Sequence, residues 1–348
     1  MTSRLLSATL LAALSATTLL AQDDRIHLHG GNVIEGCRVT SFDVRNLKYT
    51  KGGNNEAVST DQVAKVELGK FKDVFARGLK DADVMLTQAR EQVEQKNLLM
   101  AQFGFVTAAR RFFDTDPAAE AVGTIDELVK AIPEAGVLPD TYRLKFEYYM
   151  SLGQKGAPSA LAVAKKFQSD AVGNAWPNGL ATEADFFLVL SDRVAEKEYQ
   201  TRLRGIVAKA SGTNPVIAAR ANVELADSLR QSKDKDLPAA KKIYAGVLEK
   251  DGGDVNARAG ALLGLGKIQM EEAGSDKEAV KKAMLTFLRV RLETKDSWAG
   301  VQSDALLQTM LAAKKWGGPE WTLVFARCRR ILATDYAGSD ADKQAAGL

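Results

Sequence analysis

Near Gly69 the texture of the chain changes: period-two alternation with glycine turns gives way to roughly 270 residues of helix-period sequence that contain no histidine. The change constrains the chain to a small β unit followed by a long helical body. It also removes from that body the side chain most often used for proton transfer near neutral pH. From Arg25 to Leu68, Ile26 and Leu28 alternate with Arg25, His27 and His29, and Gly30-Gly31-Asn32 makes a turn. Val33 to Thr40, Val44 to Thr50, Ala57 to Thr60 and Val63 to Leu68 then read as strands, with Gly52-Gly53-Asn54-Asn55 as a second turn. About five short strands of this size must close on themselves as a small barrel or pack against the first helix, because isolated hairpins are marginal in water.

From Phe71 onward the pattern predicts about a dozen helices. Phe71–Gln95 and Leu98–Asp114 open the series, and Pro117–Ile132 starts with proline at an allowed first-turn position. Asp140–Leu152, Pro158–Ser169, Thr182–Ala195 and Lys197–Ala210 follow. Pro215–Gln231, Leu237–Lys250, Val255–Ala273, Asp276–Thr294, Ser297–Lys315 and Pro319–Thr334 complete it, and the small polar residues to Leu348 are expected to fray. After Pro215 a repeat is visible. Leu225-Ala226, Leu265-Gly266 and Leu307 recur on first helices, and Tyr244, Leu288 and Arg329-Arg330-Ile331 recur on second helices. Alanine and glycine at Ala226, Ala240, Gly264, Gly266 and Ala283 permit close helix approach, so each weak unit buries its apolar stripe against its neighbours.

These helix pairs resemble degenerate, lengthened tetratricopeptide-like repeats, with paired-helix HEAT-type repeats as the near alternative. The N-terminal order Ile26-x-Leu28-x-x-Gly31-x-x-Ile34-x-Gly36, then Val39, Phe42-Asp43 and Asp61-Gln62-Val63-x-x-Val66, resembles the small SH3-like and Sm-like barrels. Only the fold is carried over from that second resemblance. The expected class is mainly α, an α-α superhelix (a TPR-like helical repeat solenoid) with a small N-terminal β-barrel domain. The expected division is a signal peptide over 1–21, the barrel over 22–69, the repeats over 70–335 and a flexible tail over 336–348.

Arg4, the apolar run Leu5 to Leu20 and Ala21 before Gln22-Asp23-Asp24 read as a secretory signal, so the expected address is periplasmic or secreted. The run is interrupted by Ser7, Thr9, Ser15, Thr17 and Thr18, which argues against a retained membrane span. Without Arg4 the 47 basic residues become 46 against 44 acidic ones, so no global field draws nucleic acid or an anionic membrane. Cys37 and Cys328 lie at opposite ends of the chain and are read as two separate buried thiols.

Chemical motifs are sparse. His27 and His29 form an i, i+2 pair expected to share the polar outer face of a strand, without the further ligands a zinc or copper site needs. Gly260-Ala261-Leu262-Leu263-Gly264-Leu265-Gly266 lacks the preceding strand and lysine of a phosphate loop and is read as a packing face. Arg327, Arg329, Arg330, Lys314 and Lys315 read as solvated helix surface, Trp176 as a plug between helices, and Trp316 and Trp321 as closing the last repeat. Ser232-Lys233-Asp234-Lys235 matches SxxK without its companion motifs, and no GxSxG or HExxH occurs. The expected function is therefore a non-enzymatic binding or assembly scaffold for a protein or peptide partner, with no cofactor and no catalytic or metal residue assigned. A structural envelope tether docked through the barrel, or a carboxylate-dependent hydrolase, are the alternatives.

Overall fold

Five strands form one antiparallel sheet at the start of the chain: β1 (Asp24–Leu28), β2 (Val33–Phe42), β3 (Asn46–Lys51), β4 (Asn54–Ser59) and β5 (Val63–Glu67). The computed structural model describes residues 23–348 except 30, 116, 117, 193 and 251–253, so the expected signal segment lies outside the described residues. The sheet runs in the order β4-β3-β2-β1-β5, with β4 and β5 on opposite edges, and it does not close into the expected barrel. Its apolar side finds another cover. Ile26, Val39, Leu47 and Val63 pack against Leu99, Met100 and Phe103 of the helical body, which fill the place a barrel interior would take.

Fifteen α-helices follow among the described residues. They are α1 (Phe71–Val74), α2 (Ala82–Glu94), α3 (Leu98–Asp114), α4 (Ala118–Ala131), α5 (Leu138–Ser151), α6 (Ala157–Gly173), α7 (Asn178–Ser191) and α8 (Glu196–Ala210). The rest are α9 (Pro215–Gln231), α10 (Leu237–Leu248), α11 (Val255–Glu272), α12 (Lys277–Glu293), α13 (Ala299–Trp316), α14 (Trp321–Asp335) and α15 (Asp340–Ala346). Their starts are set by local chemistry. Asp81, Asn214, Asp236, Asp254 and Asp276 each accept a hydrogen bond from a first-turn N–H, and prolines occupy the first turns of α5, α6, α9 and α10.

From α5 to α14 each helix packs on the next, and α7, α9, α11 and α13 also touch in succession. Close approach depends on the glycines of α11. A Cβ on Gly264 would lie 2.2 Å from Tyr244 Cζ, and one on Gly266 would lie 2.5 Å from Phe287 Cε1, so both positions exclude any larger residue. The packing-face reading of Gly260 to Gly266 is thereby explained. The second-helix beat is displaced by one residue, since Phe287 is buried under Gly266 where Leu288 was expected.

Two further expectations are corrected. The single helix read over Phe71–Gln95 is broken into α1, a 3-10 turn (Ala76–Gly78) and α2, because Phe75 turns fully inward and Gly78 lies against the Met85 backbone. The residues expected to fray form α15, capped by Ser339 and seated on α13 and α14 with Ala341 and Ala345 buried. Cys37 belongs to the sheet core and Cys328 to the last helical cluster, and both thiols are free and buried.

The sheet is locked to the helices by directional contacts. Gln102 donates to the Phe42 carbonyl at 3.2 Å and accepts from Val137 N–H at 3.3 Å. Phe42 stacks on Phe103 with ring centroids 6.0 Å apart, and the Asp61 carboxylate accepts from Gly179 N–H at the start of α7 at 2.9 Å. Trp176 is buried beside Tyr142 and Phe167, where it fills the junction between α5 and α6 as a plug.

Candidate functional site

Four odd-numbered helices each turn residues at i, i+4 and i+7 toward one groove, a spacing that places three side chains on one helix face. These are Arg143, Glu147 and Met150 on α5; Glu183, Phe187 and Leu190 on α7; Arg220, Glu224 and Asp227 on α9; and Gly260, Gly264 and Lys267 on α11. Trp298, immediately before α13, borders the far end. The groove has two adjoining lobes of about 610 Å³ and about 380 Å³, and Glu147 and Arg220 line both. Leu28, His29 and Ala64 of the sheet segment wall the smaller lobe.

The smaller lobe is built on ion pairs between helices. Arg143 donates to both Glu183 oxygens at 2.7 and 2.6 Å and to Asp140 at 2.5 Å. Arg220 holds the Asp254 carboxylate through two bonds of 3.0 and 2.9 Å, while Asp254 also caps α11. Such paired, bidentate geometry is what permits charges to sit where water is scarce. Burial opposes the charge on Arg143, yet the Glu183 and Asp140 carboxylates hold its pKa above the ordinary value. Burial alone would raise Glu183, whose carboxyl is instead held below the usual range by the Arg143 guanidinium. Burial and the nearby Arg143 push the His29 imidazole below its ordinary value. Its neutral form is thereby favoured.

The larger lobe is mostly apolar, with Phe146, Phe187, Val223 and Leu263 in its floor. Arg220 lies 5.0 Å from the Trp298 ring centroid, a cation–π stack that orients the indole at the rim. Burial, then the neighbouring Asp227 charge, pushes the Glu224 carboxyl up to about 7. Burial also raises Glu147, against the pull of Arg220, Arg110 and Arg143.

The two histidines separate. The β1–β5 register shifts between His27 and Leu28; His27 Nε2 sits 3.6 Å from Glu67, whereas His29 lines the smaller lobe. The shared strand face expected for the pair is not what the chain forms, because β1 ends at Leu28 and His29 lies in the turn that follows. Among the described residues no group of three or more His, Cys, Asp or Glu is placed to hold a metal. Ser232 and Lys235 lie in the turn between α9 and α10, with the Lys235 ammonium taken by Glu271. Arg329 pairs with Asp342 at 2.6 Å, and Arg327 and Arg330 are exposed.

Apart from His29 and the glycines Gly260 and Gly264, which the sequence singled out for other reasons, none of the groove residues is marked by a sequence motif. The available signal was the i, i+4, i+7 recurrence of charged, aromatic or glycine residues on alternate helices. It becomes readable only once helix phase is known. No protein-family model matches the chain, and no curated protein matches it.

Proposed function

We propose that the protein is a non-enzymatic binding or assembly scaffold that holds a protein or peptide segment in the groove of a tetratricopeptide-like helical superhelix. The observation that carries this reading is the recurrence of one face on four successive odd-numbered helices, which makes a single elongated recess out of separate repeat units. Its apolar floor and charged rim suit a segment that buries a few side chains and is positioned by polar contacts at its edge. Export directed by residues 1–21 would place that activity in the periplasm or outside the cell. The sheet supplies a wall of the groove, which supports an integral part in recognition over a detachable tether.

A carboxylate-dependent hydrolase is the second reading. It is favoured by one observation: Glu224, raised to about 7, stands one helical turn before Asp227 in an open recess, an environment difference of the kind that separates an acid from a base. Complementation of a deletion in the native host separates the two. Scaffold binding spreads its energy over several contacts, so Glu224→Gln and Asp227→Asn should each retain function, while Met150→Arg combined with Leu190→Arg should abolish it. Loss of function in Glu224→Gln or Asp227→Asn with fold and melting temperature intact would favour the hydrolase, since loss of a catalytic group costs orders of magnitude.

A further inference from the structure

In the larger lobe every cation is already matched and two carboxylates are not. Arg220 is held by Asp254, Arg230 by Asp227 at 2.8 Å and Lys267 by Asp304 at 2.7 Å. Glu147, exposed at the mouth of the lobe, has no ion-pair partner among the described residues and is hydrogen-bonded by the Trp298 side chain, and Glu224 receives a hydrogen bond of only 3.4 Å from Tyr199 Oη. Of the three arginines close enough to act on Glu147, Arg220 and Arg143 are committed to Asp254 and Glu183, and Arg110 is exposed on α3 outside the groove lining. Around Glu147 the surface is apolar, with Phe146 and Phe187 below it and Met150 and Trp298, 41% and 40% exposed, at the rim. An anionic ligand there meets carboxylates that carry no ion pair, whereas a cation meets a carboxylate that none of the lobe's own cations has taken.

The geometry points to a peptide segment that carries a lysine or arginine beside a large apolar residue as the occupant of this lobe, the cation meeting Glu147 and the apolar side chain covering Met150 and Trp298. The inference rests on the binding-groove reading and names the chemistry of its partner. Glu224, deeper in the same lobe, adds to the negative potential that favours a cation as pH rises.

The test uses the full chain and labelled, end-blocked hexapeptide mixtures. One position is fixed as Lys, Arg, citrulline or Glu, the next as Leu or Phe, and the rest are Ala, Gly and Ser. Binding is followed by fluorescence anisotropy at pH 7.5, a condition set by the assay and above the value about which Glu224 titrates. Lys and Arg mixtures should bind about tenfold tighter than citrulline, as expected for one charge-assisted hydrogen bond, and Glu mixtures weakest. Glu147→Gln should erase the preference for Lys and Arg without changing citrulline binding, and Met150→Arg, at the exposed rim, should weaken the cationic mixtures by like-charge repulsion. Binding without a preference for cations, or a preference that survives Glu147→Gln, overturns this inference alone. If no mixture binds, the groove reading fails with it.

Discussion

Replacing Arg143 by methionine leaves Glu183 with its carboxylate buried and its bidentate partner gone. The Glu183 side chain is only 2% exposed, whereas Arg143 keeps 27% of its side chain exposed. Removing one partner of a buried pair costs about 3 to 5 kcal/mol, and partial access of water to Arg143 places the loss near the lower end, about 3 kcal/mol. With an unfolding entropy of about 2.1 cal/mol/K per residue over a chain of this length, that corresponds to a fall in melting temperature of roughly 4 °C. The pH dependence has a defined sign. In the wild type Glu183 titrates below its ordinary value, so its stabilising contribution is present above the unfolded carboxyl pKa and is lost only as pH falls through the lower folded value. In Arg143→Met, burial without the guanidinium moves Glu183 upward, so the variant's deficit is full at pH 7 to 8 and shrinks as pH falls from the raised folded value toward the unfolded value of about 4.3. Arg143→Met with Glu183→Leu should recover all but about 1 kcal/mol, since an apolar pair of similar volume has no charge to desolvate. Urea denaturation from pH 4 to 8 measures both effects. A deficit below about 1 kcal/mol at pH 7, or one that widens in acid, would refute the view that this pair is a desolvated structural link.

Three other outcomes follow from the structure. Gly264→Ala should destabilise the fold by about 1 to 3 kcal/mol through collision with the Tyr244 ring, whereas Gly205→Ala, with open space around its Cβ on α8, should stabilise it by about 0.5 to 1 kcal/mol; equal effects in thermal melts would contradict the packing. Glu224, with its folded value raised to about 7, contributes stability that is present below about pH 4.3 and lost as pH rises through the folded value, so Glu224→Gln should gain on the wild type between pH 5 and pH 8, and a constant difference would count against its recessed, negatively flanked position. Burial raises the Cys37 thiol and pushes Cys328 up to about 11, so Ellman's reagent at pH 8 should label both cysteines only after denaturation; rapid labelling of either in the native protein would place it at the surface.

Local chemistry made much of the element order legible. Pro215 and Asn214 start α9, Asp276 starts α12, and the alternation from Arg25 to Leu68 yields five strands, because caps, fixed φ angles and period-two burial act within a few residues. The small residues of α11 also announced close packing, and Tyr244 and Phe287 occupy the space they leave. Tertiary structure decided what those neighbours were. The sheet stays open because α3 covers its apolar side, and closure depends on where strand edges and remote side chains meet. Trp298 reaches the groove through helix packing, and Arg143 finds Glu183 forty positions later in the chain. Pairings at that range depend on the phase and spacing of whole helices, which no local pattern contains, so the sequence by itself determined the succession of strands and helices and only their packing determined the charged recess between them.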